Sequence, residues 1–162
     1  MSTPDFVVAL REHIGHAPLN LVGVTAIVFR DEKVLLGKRA DNGAWQAISG
    51  IVEPGEEPAD TAVRESLEEA GVTVKVERLA LVQQLPPASP TPTATRSTIS
   101  TWCSAARGSR ASRTRPTGEL TEIGFYDLAA MGDVDDDHVR RIALAVAEDD
   151  PAHFRGGRPP KS

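Results

Sequence analysis

One stretch, GIVEPGEEPADTAVRESLEEAGV, covers Gly50 to Val72 and holds seven Asp or Glu residues. Glu56, Glu65, Glu68 and Glu69 lie around a single arginine, Arg64. On a helix, Glu65, Glu68 and Glu69 stand at i, i+3 and i+4, so their carboxylates gather on one face. At 5–6 Å such carboxylates repel by about 3 kcal/mol at an effective dielectric near 20. In open water the repulsion is smaller, and an acidic helix face is most simply a solvated one. Another chemistry fits the same pattern. Hard divalent cations, Mg2+ or Mn2+, take few carboxylates together with waters and substrate phosphates. A bound cation removes the repulsion and lets an anionic protein face approach an anionic substrate.

The local sequence supplies what such a face needs. Pro58 suits the first position of a helix, where its missing N–H costs nothing. Gly71 is a stop signal after Ala70. Ala59, Ala62, Val63, Ser66 and Ala70 share a mostly small face, which can lie close against a sheet. The EPGEE run before the helix makes a tight loop, so the acids recur at a loop–helix junction.

These residues resemble the signature of the Nudix hydrolases: Gly, five residues, Glu, seven residues, then Arg-Glu-hydrophobic-x-Glu-Glu-x-Gly-hydrophobic. The fixed points fall on Gly50, Glu56, Arg64, Glu65, Glu68, Glu69, Gly71 and Val72. Seven specified identities at average residue usage match by chance about once in 10⁸ start positions. There are two departures: Ser66 fills the first hydrophobic slot, and Ser49 replaces a glycine that often precedes Gly50. The resemblance implies an α/β/α sandwich with a mixed β-sheet, the box forming a loop–helix–loop. It implies hydrolysis of a pyrophosphate bond in a nucleoside diphosphate linked to some moiety X, with Mg2+ or Mn2+ as cofactor. By position, Glu65, Glu68, Glu69 and the Gly50 carbonyl are the expected metal ligands. Glu65 or Glu69 doubles as the base, Arg64 orients Glu65, and Glu56 braces the loop. Some relatives take the base from a later loop, for which Glu119 and Glu122 are candidates. Lys38 and Arg39 are candidate phosphate contacts or a plain surface pair. Trp45 is a candidate base-stacking residue or a core tryptophan. A homodimer is compatible with the family. The intact acids argue for an enzyme; the alternative is a Nudix-fold sensor that binds nucleotide without turnover.

The elements that must position this site read as follows. Residues 4–14 form an amphipathic helix in an N-terminal arm, 1–17, ahead of a domain spanning 18–148. Residues 21–30 and 33–40 form a hairpin, and 45–52 a third strand interrupted by Gly50. Residues 72–85 and 118–128 are further strands, and 133–149 is an amphipathic helix. In that last helix, Asp135, Asp136 and Asp137 supply favourable N-terminal charge. His13 and His16 are expected at the surface, and 149–162 as a frayed tail. The 162 residues suffice for one domain with a core, and the net charge of −5 gives no general attraction to nucleic acid or anionic membrane. No segment approaches a membrane span, and a lone Cys103 suits a reducing compartment, so a cytoplasmic location is expected.

Residues 86–117 do not fit. They contain five arginines and no acid, and only Ile99, Trp102 and Cys103 offer core anchors, where a Nudix sheet requires strands. One reading is a disordered insertion with a basic arm. The favoured reading is a local shift of reading frame. With GC-rich codons, the shifted frame of PTPTAT reads Y-P-N-G-D, a turn, and that of STISTWC reads D-Y-L-D-L-V, an alternating strand. A compensating pair of indels accounts for both, and the nucleotide sequence decides it.

Overall fold

The computed structural model describes residues 3–84, 97–109, 119–127, 134, 136–147 and 151–154. The chain order is α1 (Asp5–Ile14), β1 (Leu19–Arg30), β2 (Lys33–Arg39), β3 (Trp45–Gln46), β4 (Ile48–Ile51), α2 (Pro58–Ala70), β5 (Thr73–Gln84), β6 (Ser97–Ser109), β7 (Leu120–Asp127), α3 (Asp136–Val146) and β8 (His153–Phe154).

The strands make one mixed sheet, with β3-β2-β1-β6-β5-β8 as its main path. β1 is the organising strand. One edge carries β6 in parallel along nearly its whole length. The other edge is divided: Gly23 to Ala26 pair with β4, and Phe29 and Arg30 with β2. β7 adds antiparallel to β2. Because helices cover both faces, the middle of β1 is a continuous buried run rather than an alternating one. Val24, Ala26 and Val28 face α2 with Leu35, Ile48, Ala62, Ala70 and Val72. Ile27 faces α3 with Val34, Leu36, Ala47, Leu81, Ile142 and Ala145. This is the expected α/β/α sandwich. The N-terminal helix α1 buries only Val7, against Leu21 and Ile51.

Three expectations are corrected. The strand expected over 45–52 is two pieces, because Ala47 leaves the β2 ladder before Ile48 joins β1. In the expected frayed tail, His153 and Phe154 pair in parallel with Leu81 and Val82 of β5. In the anomalous stretch, the backbone of residues 97–109 is a strand in the sheet interior, held by β1 on one side and β5 on the other. Hydrogen bonding along both edges lets sequence of poor strand propensity extend. The remaining parts of that stretch, 86–96 and 110–117, lie outside the described residues, as does Asp135.

Candidate active site

Helix α2 forms where the sequence places it. Pro58 occupies its first turn, and Gly71, at φ 62°, ends it in the left-handed region that glycine adopts freely. The amides of Gly71 and Val72 return to the carbonyls of Leu67 and Ser66. Ser66, in the slot where a hydrophobic residue is usual, is fully buried, and its hydroxyl donates to the Ala62 carbonyl at 2.7 Å. The serine therefore satisfies itself within the helix and leaves a small surface to the sheet.

The buried face is rotated from the expected one. Thr61, Ala62, Ser66, Glu69 and Ala70 are buried, while Ala59 is exposed and Val63 half-buried. Glu69, at 6% exposure, thus turns toward the sheet instead of sharing an open face with Glu65 and Glu68. The solvated-face reading fails for this residue. Glu65 is half-buried and Glu68 exposed, so the three acids run from interior to surface.

Arg64 ties the acidic loop to the helix. Its Nε and Nη2 donate to the two carboxylate oxygens of Glu56, at 2.9 and 3.0 Å. Its Nη1 reaches Glu65 at 2.8 Å and Glu68 at 3.2 Å, and Nη2 also reaches the Ile51 carbonyl at 3.3 Å. The two-pronged pairing fixes orientation as well as charge. Glu56 also accepts from the Glu53 amide, which closes the loop. The Arg64 guanidinium holds the Glu56 carboxyl down at about 2. In return, Glu56 first and then Glu65 raise the pKa of Arg64.

Glu69 has the opposite environment. Burial, then the neighbouring Glu65 charge, push its carboxyl up to about 7, against a smaller opposing pull from the nearby Ser49 amide. Its Oε2 is buried and has no hydrogen-bond partner among the described residues. Burial raises Glu65 as well, against the opposing pull of Arg64. Gly50 explains how Glu65 comes so close to β4: a Cβ there would lie 2.0 Å from Glu65 Oε1.

A buried and a half-buried carboxylate that repel one another, one with an oxygen lacking a partner among the described residues, fit a hard divalent cation. Among the described residues, however, no group of three acids is placed to hold an ion as it stands, and Glu65 and Glu68 are both paired with Arg64.

Most of the weaker candidates are engaged with other partners. Lys38 pairs with Glu122 at 3.0 Å and lies 5.7 Å from the Trp45 ring centroid. Trp45 packs edge-on against Tyr126, at 4.6 Å between centroids, beside the core under α3. Arg39 pairs with Asp41, bonds Gln46 Oε1 at 3.3 Å, and feels the Glu69 charge, a smaller effect than its Asp41 bond. Glu119 is half-buried, and its carbonyl accepts from the Ala40 amide. His13 and His16 are exposed.

Sequence reasoning missed a polar set on the α3 side of the sheet. Thr25 and Ser49 stand opposite each other on β1 and β4, and the Ser49 hydroxyl donates to Thr25 Oγ1 at 3.2 Å. Arg141 of α3, 5% exposed, donates from Nη1 to the same Thr25 oxygen at 2.9 Å and from Nη2 to Asp137. Gln83, also buried, is shared between Asp137 and Arg140. The available signal was a cation at position 141, on the same helical stripe as the apolar Ile142 and Ala145.

Among the described residues no helix is long and apolar enough to cross a membrane.

The chain is 41% identical to a MutT-like protein of Streptomyces ambofaciens over 63 residues, 38% of this chain and 41% of that protein. It is 47% identical to an RNA pyrophosphohydrolase of Rickettsia bellii over 47 residues, 28% of this chain and 29% of that protein. It therefore matches less than half the length of either relative. Among solved structures, a NUDIX hydrolase from Nitrosomonas europaea superposes with a TM-score of 0.67 at 24% identity, covering 84% of this chain and 77% of the other. An ADP-ribose pyrophosphatase from Streptococcus suis superposes with a TM-score of 0.63 at 21% identity, covering 83% of this chain and 96% of the other. The family model of the NUDIX domain matches residues 19–145, which take in the whole acidic loop–helix as well as the sheet that carries it. The chain belongs to the NUDIX family.

Proposed function

We propose that this protein hydrolyses the pyrophosphate bond of a nucleoside diphosphate linked to a moiety X, with Mg2+ as cofactor and Mn2+ as a substitute. The observation that carries the reading is the contrast between Glu56, held strongly acidic by Arg64, and Glu69, buried and kept near 7 with an unpartnered oxygen. A purely structural ion-pair network has no use for the second group. In a hydrolase such a carboxylate is suited to holding a cation and to taking a proton from water.

Glu65, Glu68, Glu69 and the Gly50 carbonyl are the groups that would hold the ion. When bound, a divalent cation neutralises charge on the phosphoryl oxygens and acidifies water. The remaining work belongs to the chain. Arg64 keeps Glu65 aimed along the β4 edge, and Glu56 keeps Arg64 in place. Water attacks one phosphorus, its proton passes to Glu69, and the bond to the bridging oxygen breaks to release the second phosphate. Glu122 is a weaker candidate for the base, because Lys38 holds its carboxylate.

The test is a screen of the purified protein with Mg2+ and Mn2+ against nucleoside triphosphates, ADP-ribose, dinucleotides and nucleotide sugars, with chromatographic identification of products. Metal-dependent release of a mononucleotide or phosphate from at least one class is expected. Binding of these compounds with no product at any metal concentration would instead indicate a sensor module.

A further inference from the structure

We propose that Arg141 is a positioning residue for the hydrolytic centre, acting through the sheet by way of the Thr25 and Ser49 hydroxyls. The inference rests on the function proposed above.

The path is short and made of direct contacts. From α3, on the face of the sheet opposite α2, Arg141 Nη1 donates to Thr25 Oγ1 at 2.9 Å. The same oxygen accepts from Ser49 Oγ at 3.2 Å. Thr25 and Ser49 are cross-strand partners in the β1–β4 ladder, and the next pair along is Val24 with Gly50. Gly50, the next residue along, lies against Glu65. A single guanidinium therefore holds the β4 segment against which Glu65 packs.

Burial gives a second reason to assign Arg141 a task. A cation at 5% exposure, paired with an Asp137 whose side chain is 37% exposed, recovers little of its desolvation cost. Its Nε is buried without a hydrogen-bond partner among the described residues. An apolar side chain beside Ile142 and Ala145 would serve packing better. What an apolar residue cannot do is hold the Thr25 hydroxyl, and through it the position of Ser49. Ordered outer partners of this kind set the orientation of metal-binding side chains.

The test compares wild type with Thr25→Val, Arg141→Met, Arg141→Lys and the Thr25→Val/Arg141→Met double variant. Three quantities are read: kcat and KM for the substrate found in the screen, Mn2+ affinity by electron paramagnetic resonance, and thermal unfolding. Thr25→Val keeps the side-chain volume and removes only the hydroxyl, so it stands alone if Arg141→Met fails to fold. Thr25→Val and Arg141→Met are each expected to weaken Mn2+ binding, kcat or both by about 10-fold or more, with KM changed less than about twofold. The double variant is expected to be no worse than the poorer single one, because both break the same path. Arg141→Lys is expected to recover part of the loss. A folded Thr25→Val with wild-type kcat and Mn2+ affinity would overturn the proposal, as would fully additive losses. If wild type binds Mn2+ but hydrolyses nothing, the functional reading fails, and the Mn2+ affinities still decide the role of Arg141.

Discussion

Replacing Gly50 by alanine tests the link between the β4 backbone and the acidic helix. β4 is extended at this position, so alanine adopts the backbone without strain and the added Cβ is the whole perturbation. That atom would stand 2.0 Å from Glu65 Oε1, 2.1 Å from Cδ and 2.2 Å from Cγ. Three consecutive side-chain atoms are met, so turning the carboxylate tip relieves nothing. Glu65 must leave its rotamer and give up its 2.8 Å bond from Arg64. Displacing a packed side chain and losing a charge-assisted bond together cost about 2–4 kcal/mol. In a domain of this size that lowers Tm by roughly 5–15 °C. Urea unfolding of wild type, Gly50→Ala, Glu65→Ala and the double variant isolates the clash. In the Glu65→Ala background the three offending atoms are gone, and the glycine substitution is expected to cost less than about 0.5 kcal/mol. An equal cost of Gly50→Ala in both backgrounds, or none in wild type, would show that Glu65 does not lie against Gly50.

Two further predictions concern pH. In metal-free protein, the Glu69 carboxyl stands at about 7 against an ordinary 4.5. The folded state thus holds a proton that the unfolded chain releases. The stabilisation is complete below about 4.5, is lost as pH rises through 7, and is worth at most about 3 kcal/mol. Urea midpoints in EDTA are expected to fall between pH 5 and 8, the decline disappearing in Glu69→Gln and shrinking with saturating Mg2+; a wild-type slope equal to that of Glu69→Gln would contradict the assignment. Glu56 behaves in the opposite sense: its carboxyl is held down at about 2, so its contribution is present above about 4.5 and lost as pH falls through 2. Glu56→Gln is expected to cost about 1–3 kcal/mol at pH 7, with the gap to wild type closing in acid.

The acidic loop–helix was readable because local chemistry alone specifies it. Pro58 and Gly71 punctuate the helix, and the observed bounds of Pro58–Ala70 follow. The strands of β1, β2, β5 and β7 were readable from β-branched and apolar runs, to within two residues at most ends. The inward turn of Glu69 was not, because helical spacing groups Glu65, Glu68 and Glu69 without saying which of them the sheet will cover. Nor was β6, whose STISTWCSAARGS lacks apolar alternation and whose strand depends on two neighbours distant in sequence. The Thr25–Ser49–Arg141 set joins three elements that only the tertiary fold brings together. A sequence-level trace existed in the charge on the apolar stripe of α3, but its partners were invisible.

The central claim is that the α2 acids, with a divalent ion, cleave a pyrophosphate bond. Its most direct test is the initial rate of product release as a function of Mg2+ concentration, for wild type beside Glu68→Gln and Glu69→Gln. Wild type is expected to be inactive in EDTA and to saturate with Mg2+. Both variants, folded by their unfolding curves, are expected to lose at least about 100-fold in kcat, as removal of a positioned base or ligand does. Near-wild-type turnover by either variant at saturating Mg2+ would contradict the account.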